Sequence, residues 1–386
     1  MKHGETDFSD VCIVLPNRRA GVFLRDAISR INDTAIWAPT ILSIEDFVFS
    51  LTGTVKVDRT TLLFTFYEVY RSEVKDPQPL ELFANWAPTF LSDANEVDLN
   101  LIDAQDIYTQ LHSIERITKW NPQNSEPTDF QKKHLDFVAQ QHGFYTALRE
   151  TLTSKKLAYQ GMAFRQVAEN AEAIIEASEW KKVWFAGFNA LTVSEETIIN
   201  AWLQSGRAKV FWDMDSFYTA DKVHEAGHYI RKYLSGSSKL KLDNDFAWNE
   251  SFLSREEKEI HLVAVQRNVA QAQVAASILD AKLRSDPDNR FSNTAVVLND
   301  GNLLMPLLHS LPVELQGVNI TMGYGLQNSQ CAAFIEKIFN LYARFAENDK
   351  RFYHVNVSAV INDSFYRSVN KQDDRKLQNR ILKEKR

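Results

Sequence analysis

A chain of 386 residues with 44% hydrophobic and 24% charged side chains has the composition of a globular protein, which excludes disordered, collagen-like and mucin-like classes. The length exceeds the roughly 250–300 residues at which one core stops growing, so at least two domains are expected. A net charge of −6 argues against a surface that wraps nucleic acid by wholesale phosphate neutralisation, though a local basic groove is compatible with it.

No apolar run approaches the roughly 18 residues needed to cross a bilayer, and Met-Lys-His-Gly-Glu-Thr-Asp at the start lacks the apolar stretch of a signal peptide. A cytoplasmic protein with no membrane partner is expected. Cys12 and Cys331 are the only cysteines and both sit in apolar surroundings, so buried thiols are expected rather than a disulfide framework or a cysteine metal site.

In chain order, Asp10-Val-Cys-Ile-Val-Leu15 reads as a buried strand, Pro16-Asn-Arg-Arg19 as a polar turn, and Ala20–Ile31 as a helix with Val22, Phe23, Ala27 and Ile31 near helical spacing. This is half of a parallel βαβ unit. Pro39–Leu42 then leads into a helix near Phe47–Leu51 that Ser43 can cap. From Val57 to about Lys156 the segments are long and amphipathic, Leu62, Leu63, Phe66, Tyr67 and Tyr70 marking one of them, and the pattern predicts an all-helical insertion. The α/β pattern resumes with a helix over Tyr159–Ser178, a strand over Lys182–Ala186, a helix over Ser194–Leu203 and a strand over Ala208–Trp212.

The polar stretch Ser235–Lys258 reads as an inter-domain link. Beyond it, strands are predicted over Glu259–Val265, Thr294–Leu298 and Val318–Thr321, with helices over Ala270–Leu283, Leu303–Ser310 and Gln330–Ala346. Between Arg344 and Arg386 there are 11 Lys/Arg against 6 Asp/Glu, a local charge of +5, and Lys371–Arg386 reads as a solvated terminal helix.

Several short motifs carry potential chemistry. No glycine precedes a lysine, so the G-x-x-x-x-G-K-[ST] loop that cradles nucleotide phosphates is absent. Gly323-Tyr-Gly325 is a lone G-x-G, better read as a tight turn. His224-Glu-Ala-Gly-His228 matches H-E-x-x-H, whose imidazoles one helical turn apart suit zinc with the glutamate as base. On a helix over Asp221–Leu234, however, Val223, Ala226, Tyr229, Ile230, Tyr233 and Leu234 form the buried face and both histidines point to solvent. Glu256-Glu-Lys258 with Asp243 or Asp245 offers part of a nuclease motif, and Asp213 and Asp215 follow a strand where divalent ions can collect. The Asn17-Arg18-Arg19 turn places two guanidinium groups and a helix start at the carboxyl end of a strand, an arrangement suited to phosphate, with a structural salt bridge as the competing reading.

Five segments, Val14-Leu-Pro-Asn-Arg-Arg-Ala-Gly-Val-Phe-Leu24, Ala158-Tyr-Gln-Gly-Met-Ala-Phe-Arg165, Phe185-Ala-Gly-Phe-Asn-Ala-Leu191, Ala208-Lys-Val-Phe-Trp-Asp-Met-Asp215 and Asn319-Ile-Thr-Met-Gly-Tyr324, resemble in this order the AddB-type subunits of bacterial helicase–nuclease repair complexes. The likeness is to the long PD-(D/E)XK nuclease family proteins of the Bacteroidetes type. It implies two RecA-like parallel-sheet domains of an inactivated superfamily 1 helicase. Residues 1–56 and 157–235 would form the first domain, 57–156 its helical insertion, 236–258 a link, 259–350 the second domain, and 351–386 the start of a second, truncated insertion.

The resemblance also assigns roles. Asn17, Arg18, Arg19 and Ala20 fall where active relatives carry a T-N-K-A-A-like motif that contacts single-stranded DNA, and Thr40, Ser43 and Phe47 match the T-x-x-S-F-like segment after it. The Asp-Glu pair that holds magnesium is replaced by Ala186-Gly187, and Gln271 stands near a position where similar chains keep a glutamate. The implied protein is a scaffold without ATPase activity or cofactor, in which Asn17, Arg18, Arg19, Thr40 and Ser43 contact DNA, a single strand or duplex end, without sequence preference. The implied partner is an AddA-like helicase–nuclease subunit, with the exonuclease domain in a longer parent chain. The alternatives are a zinc metallopeptidase built on His224, Glu225 and His228, and a protein-interaction module docking through the helical insertion, Trp86 and Trp120 included.

Overall fold

The computed structural model describes residues 7–31, 35–112, 129–236, 238, 240, 249–255, 257–286, 291, 293–315, 317–343, 345 and 351–369. The chain divides into two compact units, residues 1–258 and 259–386.

The first unit opens with strand β1 (Val11–Leu15) and helix α1 (Arg18–Ile31), then β2 (Thr40–Ser43), α2 (Ile44–Thr52) and the short β3 (Val55–Lys56). A helical excursion follows, comprising α3 (Arg59–Glu73), α4 (Leu80–Leu99), α5 (Ala104–His112) and α6 (Asp129–Ser154). The chain returns through β4 (Leu157–Ala158), α7 (Gln160–Glu169), α8 (Ala171–Ala177), β5 (Lys182–Ala186), α9 (Val193–Gln204) and β6 (Ala208–Phe211). Four strands form a parallel sheet in the order β2-β1-β5-β6. The fold class is therefore mixed α/β.

All five residues of β1 are buried because the strand is covered on both faces, which is why it reads as a continuous apolar run rather than an alternating one. Cys12 and Val14 point into the larger core with Phe47, Val183, Phe185 and Trp202, while Val11, Ile13 and Leu15 meet Phe8, Ile41, Leu24 and Ile28 beneath α1. The thiol of Cys12 is pushed up to about 12 by burial. Helix starts follow ordinary capping chemistry. Ser43 caps α2, and Thr192 and Glu195 form a reciprocal capping box on α9.

The helical excursion leaves and rejoins the α/β layer through one small ladder. Strands β3 and β4 pair in parallel, Val55 with Leu157 and Lys56 with Ala158. Inside the excursion an aromatic cluster replaces aliphatic packing: Phe66 stacks on Phe90 with centroids 4.7 Å apart, and Phe83, Trp86 and Phe144 meet it edge-on or tilted. The helix expected over Tyr159–Ser178 is two helices, broken at Asn170. Part of the stretch expected to be a link packs on this unit: Ser238 and Leu240 are buried, and Asn249–Glu250 pairs with Met214–Asp215.

In the second unit, helices Asn268–Ser285, Leu304–Ser310 and Gln330–Ala343 stand where the periodicity places them. Ala272, Ala276 and Leu279 of the first are buried, as are Leu304 and Leu307 of the second. The predicted sheet is corrected: among the described residues, 259–265, 294–298 and 318–321 form no strand. Their apolar side chains lie open, Leu262 at 94% and Val297 at 89% exposure. An apolar run becomes a buried parallel strand only where another strand pairs with it and its faces are covered, and composition carries no information about those neighbours. No helix among the described residues is long and apolar enough to cross a membrane.

Candidate functional site

In an open parallel sheet, ligands collect at the carboxyl ends of the strands where the chain order reverses direction. Here β1 connects outward to β2 on one side and β5 to β6 on the other, so the reversal lies between β1 and β5. The loops that meet there are Pro16-Asn17-Arg18 and Gly187-Phe188-Asn189. Gly187 has φ +75°, a left-handed conformation that favours glycine, and its N–H donates to the Phe211 carbonyl at 3.1 Å. A Cβ at that position would sit 3.9 Å from Pro16 Cδ, so the two loops abut.

The side chains at this edge are largely engaged with one another. Asn17 Oδ1 accepts the Ala20 N–H at 2.9 Å and so caps the start of α1. Arg18 makes a two-pronged pair with Asp46, Nε to Oδ2 at 2.8 Å and Nη2 to Oδ1 at 2.5 Å. Ser43 Oγ donates to Asp46 Oδ2 at 2.6 Å and accepts the Asp46 N–H at 3.1 Å. The Arg18 guanidinium, with Ser43 in support, holds the Asp46 carboxyl down to about 2. The result is a closed Arg18–Asp46–Ser43 triad that ties the turn after β1 to the turn after β2.

The structure thus brings Asn17, Arg18 and Ser43 together but leaves the other two expected residues elsewhere. Arg19 turns along α1, its guanidinium 5.9 Å from the Phe23 ring centroid, and forms no ion pair among the described residues. Thr40 pairs with Cys12 at the amino end of β2, about 10 Å from the carboxyl edge at ~3.3 Å per residue. Ser43 is buried, and its hydroxyl is already bonded on both sides. At the end of β5, Ala186 and Gly187 offer no carboxylate to the crevice. Past β6, Asp215 is spent on backbone: it accepts Phe217 N–H at 2.8 Å and Leu253 N–H at 2.9 Å, and the Leu253 bond leads in lowering its pKa.

The H-E-x-x-H segment does not form the expected single helix. His224 is a cap whose Nδ1 accepts the Ala226 N–H at 3.3 Å, Glu225–Gly227 is one 3₁₀ turn, and His228 begins a separate helix over His228–Leu234. Val223, expected in the core, is 86% exposed. The His224 ring packs edge-on to Tyr218 at 4.7 Å, and a Cβ at Gly227 would collide with the Tyr218 carbonyl oxygen. Close backbone approach therefore accounts for that glycine. Among the described residues no three His, Cys, Asp or Glu side chains converge as a ligand set. Asp243, Asp245 and Glu256, the other carboxylates considered from sequence, lie outside the described residues, as do Trp120 and Lys371–Arg386.

A polar cluster that sequence reasoning missed lies deep in the helical region. Asp98, at the end of α4, is fully buried. It accepts the hydroxyls of Tyr145 and Tyr159, each at 2.5 Å, and lies 2.7 Å from both Arg149 Nη1 and Arg165 Nε. Arg165 Nη2 also donates to the carbonyls of Val97 and Ile102, at 3.0 and 2.5 Å. Burial first, and then the Asp98 carboxylate, pushes Tyr145 up to about 12 and Tyr159 well above its ordinary value, so both stay protonated and donate. Nearby, Gly161 N–H donates to Asn95 Oδ1 at 2.7 Å, and any Cβ there would strike the Asn95 backbone. A carboxylate saturated in this way is a joint between α4, α6 and α7 rather than an acid or base. The i,i+4 spacing of Tyr145 and Arg149 was the one local signal. Nothing in the sequence links them to a residue some fifty positions earlier.

No family model matches the chain, and no curated protein matches it.

Proposed function

We propose that the first unit is a catalytically silent helicase-like scaffold of an AddB-type exonuclease subunit, which holds DNA without sequence preference and seats an AddA-like helicase–nuclease partner during double-strand-break end processing. The observation that carries this reading is the switch-point crevice: a parallel sheet with a capped helix start and the Arg18–Asp46 pair on one lip, Arg19 turned along the helix beside Phe23, and Ala186–Gly187 on the other lip. Phosphoryl transfer needs a carboxylate at the strand end to hold magnesium, and that lip supplies none. In this reading the second unit is the helix layer of a second RecA-like domain, supported by its helices at Asn268–Ser285, Leu304–Ser310 and Gln330–Ala343.

The triad changes which residues meet DNA. Arg18 is committed to Asp46, so Arg19 is the guanidinium left for a phosphate, and the exposed Phe23 beside it offers a ring for stacking on a base. Ser43 and Thr40 take no part. Titration of a labelled oligothymidine at several salt concentrations tests this. Arg19→Ala should weaken binding and lower the salt slope by about 0.7, the value for one phosphate contact on a single strand, and Arg18→Ala by less. Asp46→Asn frees Arg18 and removes a repelling carboxylate, so affinity should rise. An unchanged slope in Arg19→Ala, or magnesium-dependent ATP turnover by the purified protein, would overturn the assignment.

A further inference from the structure

The four-stranded sheet is covered unequally on its two sides. On one side Val183 and Phe185 of β5 are 0% exposed, whereas Trp184 and Ala186, which point the other way, are only half-buried. Beside them on β6, Lys209 stands in register with Trp184 and is exposed. The core on that second side, around Phe8, Val11 and Ile13, draws on α1 alone among the described helices. Parallel sheets are ordinarily buried on both faces, so a half-covered one calls for an explanation.

The uncovered strip has the dimensions of one helix. A Cβ at Gly21 would lie 3.1 Å from Ile41 Cγ2 and 4.0 Å from Leu15 Cδ1, and Arg25 Nη2 donates to the Ile41 carbonyl at 3.1 Å, so α1 sits over β1 and β2. Next to it lie β5 and β6, two strands at ~4.8 Å spacing, which make a strip about 10 Å wide, the diameter of a helix. The five residues of β5 give the strip a length of roughly 16 Å, or about eleven residues of helix. The flank of α1 turned away from β2 carries Phe23, Ala27 and Ile31 at helical spacing, all exposed, and forms a side wall.

Charge narrows what can fill it. Lys209 and Arg19 form no ion pair among the described residues, while the nearby carboxylates Asp10 and Asp26 are spent on Lys182 and Arg30. Two copies joined through this face would set these cations against each other, which disfavours self-association. A single strand of nucleic acid would meet the charge but leave the apolar floor and wall poorly matched. An amphipathic helix whose apolar stripe is flanked by Asp or Glu satisfies both. We propose that the groove between α1 and the β5–β6 half of the sheet seats such a helix, supplied by a partner protein, with Trp184, Ala186, Ala27 and Ile31 against its apolar stripe and Lys209 and Arg19 against its carboxylates. The groove is a face of the sheet rather than its carboxyl edge, so the inference does not rest on DNA binding there.

The test is selection of a random library of displayed peptides, about 16 residues each, on the full chain, followed by anisotropy titration of the enriched sequences. Those sequences should carry apolar residues at i, i+3, i+4 and i+7 with Asp or Glu alongside, gain helical circular dichroism on binding, and bind with a Kd on the order of micromolar. Ala27→Gln adds bulk to the exposed wall while keeping good helix propensity, so it should weaken peptide binding about tenfold with the fold intact and oligothymidine binding unchanged. Lys209→Glu should weaken peptide binding several-fold in dilute buffer, and the difference should shrink in 1 M salt. Four results would overturn the proposal: no enrichment, enriched peptides that are extended or basic, full peptide affinity in Ala27→Gln, or a dimer in light scattering that Ala27→Gln splits. A lower oligothymidine salt slope in Lys209→Glu would also overturn it, by giving the face to nucleic acid.

Discussion

The first unit contains two arginine–aspartate pairings of nearly equal closest approach in opposite settings, the first two-pronged and the second a single contact. At the sheet edge, Arg18 and Asp46 approach to 2.5 Å with the arginine side chain 79% exposed, whereas Arg149 and Asp98 approach to 2.7 Å with the carboxylate wholly buried. Distance alone would rank them equal. Solvent screens the first, and exposed pairs contribute from nothing to about 1 kcal/mol. Around the second, desolvation makes the carboxylate depend on every donor that surrounds it. Short contacts therefore measure geometry, and burial sets how much the fold relies on them.

The sharpest way to break the comparison is Asp98→Ala. It leaves Arg149, Arg165, Tyr145 and Tyr159 facing an uncompensated interior, and a loss of about 3–5 kcal/mol is expected in chemical denaturation. Tyr159→Phe removes one donor to the buried carboxylate and should cost about 1–3 kcal/mol. The alkaline limb of the stability profile should report the same cluster. Tyr145 has its pKa raised to about 12 from an ordinary value of 10.0, so its contribution is complete below pH 10 and lost as pH rises through 12. Tyr145→Phe should flatten that limb.

The smallest effect belongs to the sheet edge. The Asp46 carboxyl is held down to about 2 from an ordinary value of 3.8, so its contribution is complete above about pH 4 and lost as pH falls through 2. Asp46→Asn should cost under about 1 kcal/mol at neutral pH and less again in 1 M salt. A larger loss from Asp46→Asn than from Tyr159→Phe would invert the ranking and refute the burial argument.

What the sequence disclosed follows the same division between local and distant causes. Strand β1, the turn at Pro16–Arg19 and helix α1 were legible because a continuous apolar run next to a capped amphipathic helix depends on near neighbours. The Ser43 cap was legible for the same reason. A structural salt bridge at the Arg18 turn was one of the two readings the sequence offered, but its partner, Asp46, lies 28 residues away and was not legible. His224 and His228 misled because their spacing places two rings together only on an unbroken helix, and the close approach of Gly227 to Tyr218 replaces that helix with a 3₁₀ turn. In the second unit the segment containing Leu262 carried the composition of a buried strand, but no pairing partner is encoded in composition. Asp98 was the hardest of all. An aspartate in a helix ordinarily faces water, and its four partners come from two other helices and a helix start between 47 and 67 residues later.

The small ladder between β3 and β4 has a consequence for how this architecture can vary. It holds Val55 beside Leu157, one strand spacing apart, so about a hundred residues begin and end at nearly the same point. The entropy of closing such an excursion grows only with the logarithm of its length, about 0.6 kcal/mol per doubling. Lengthening the connections between its helices therefore carries little closure cost at the ladder and should leave the register of the four-stranded sheet in place. The ladder works as a hem, confining such insertions to the helical side and leaving the carboxyl-edge turns in place.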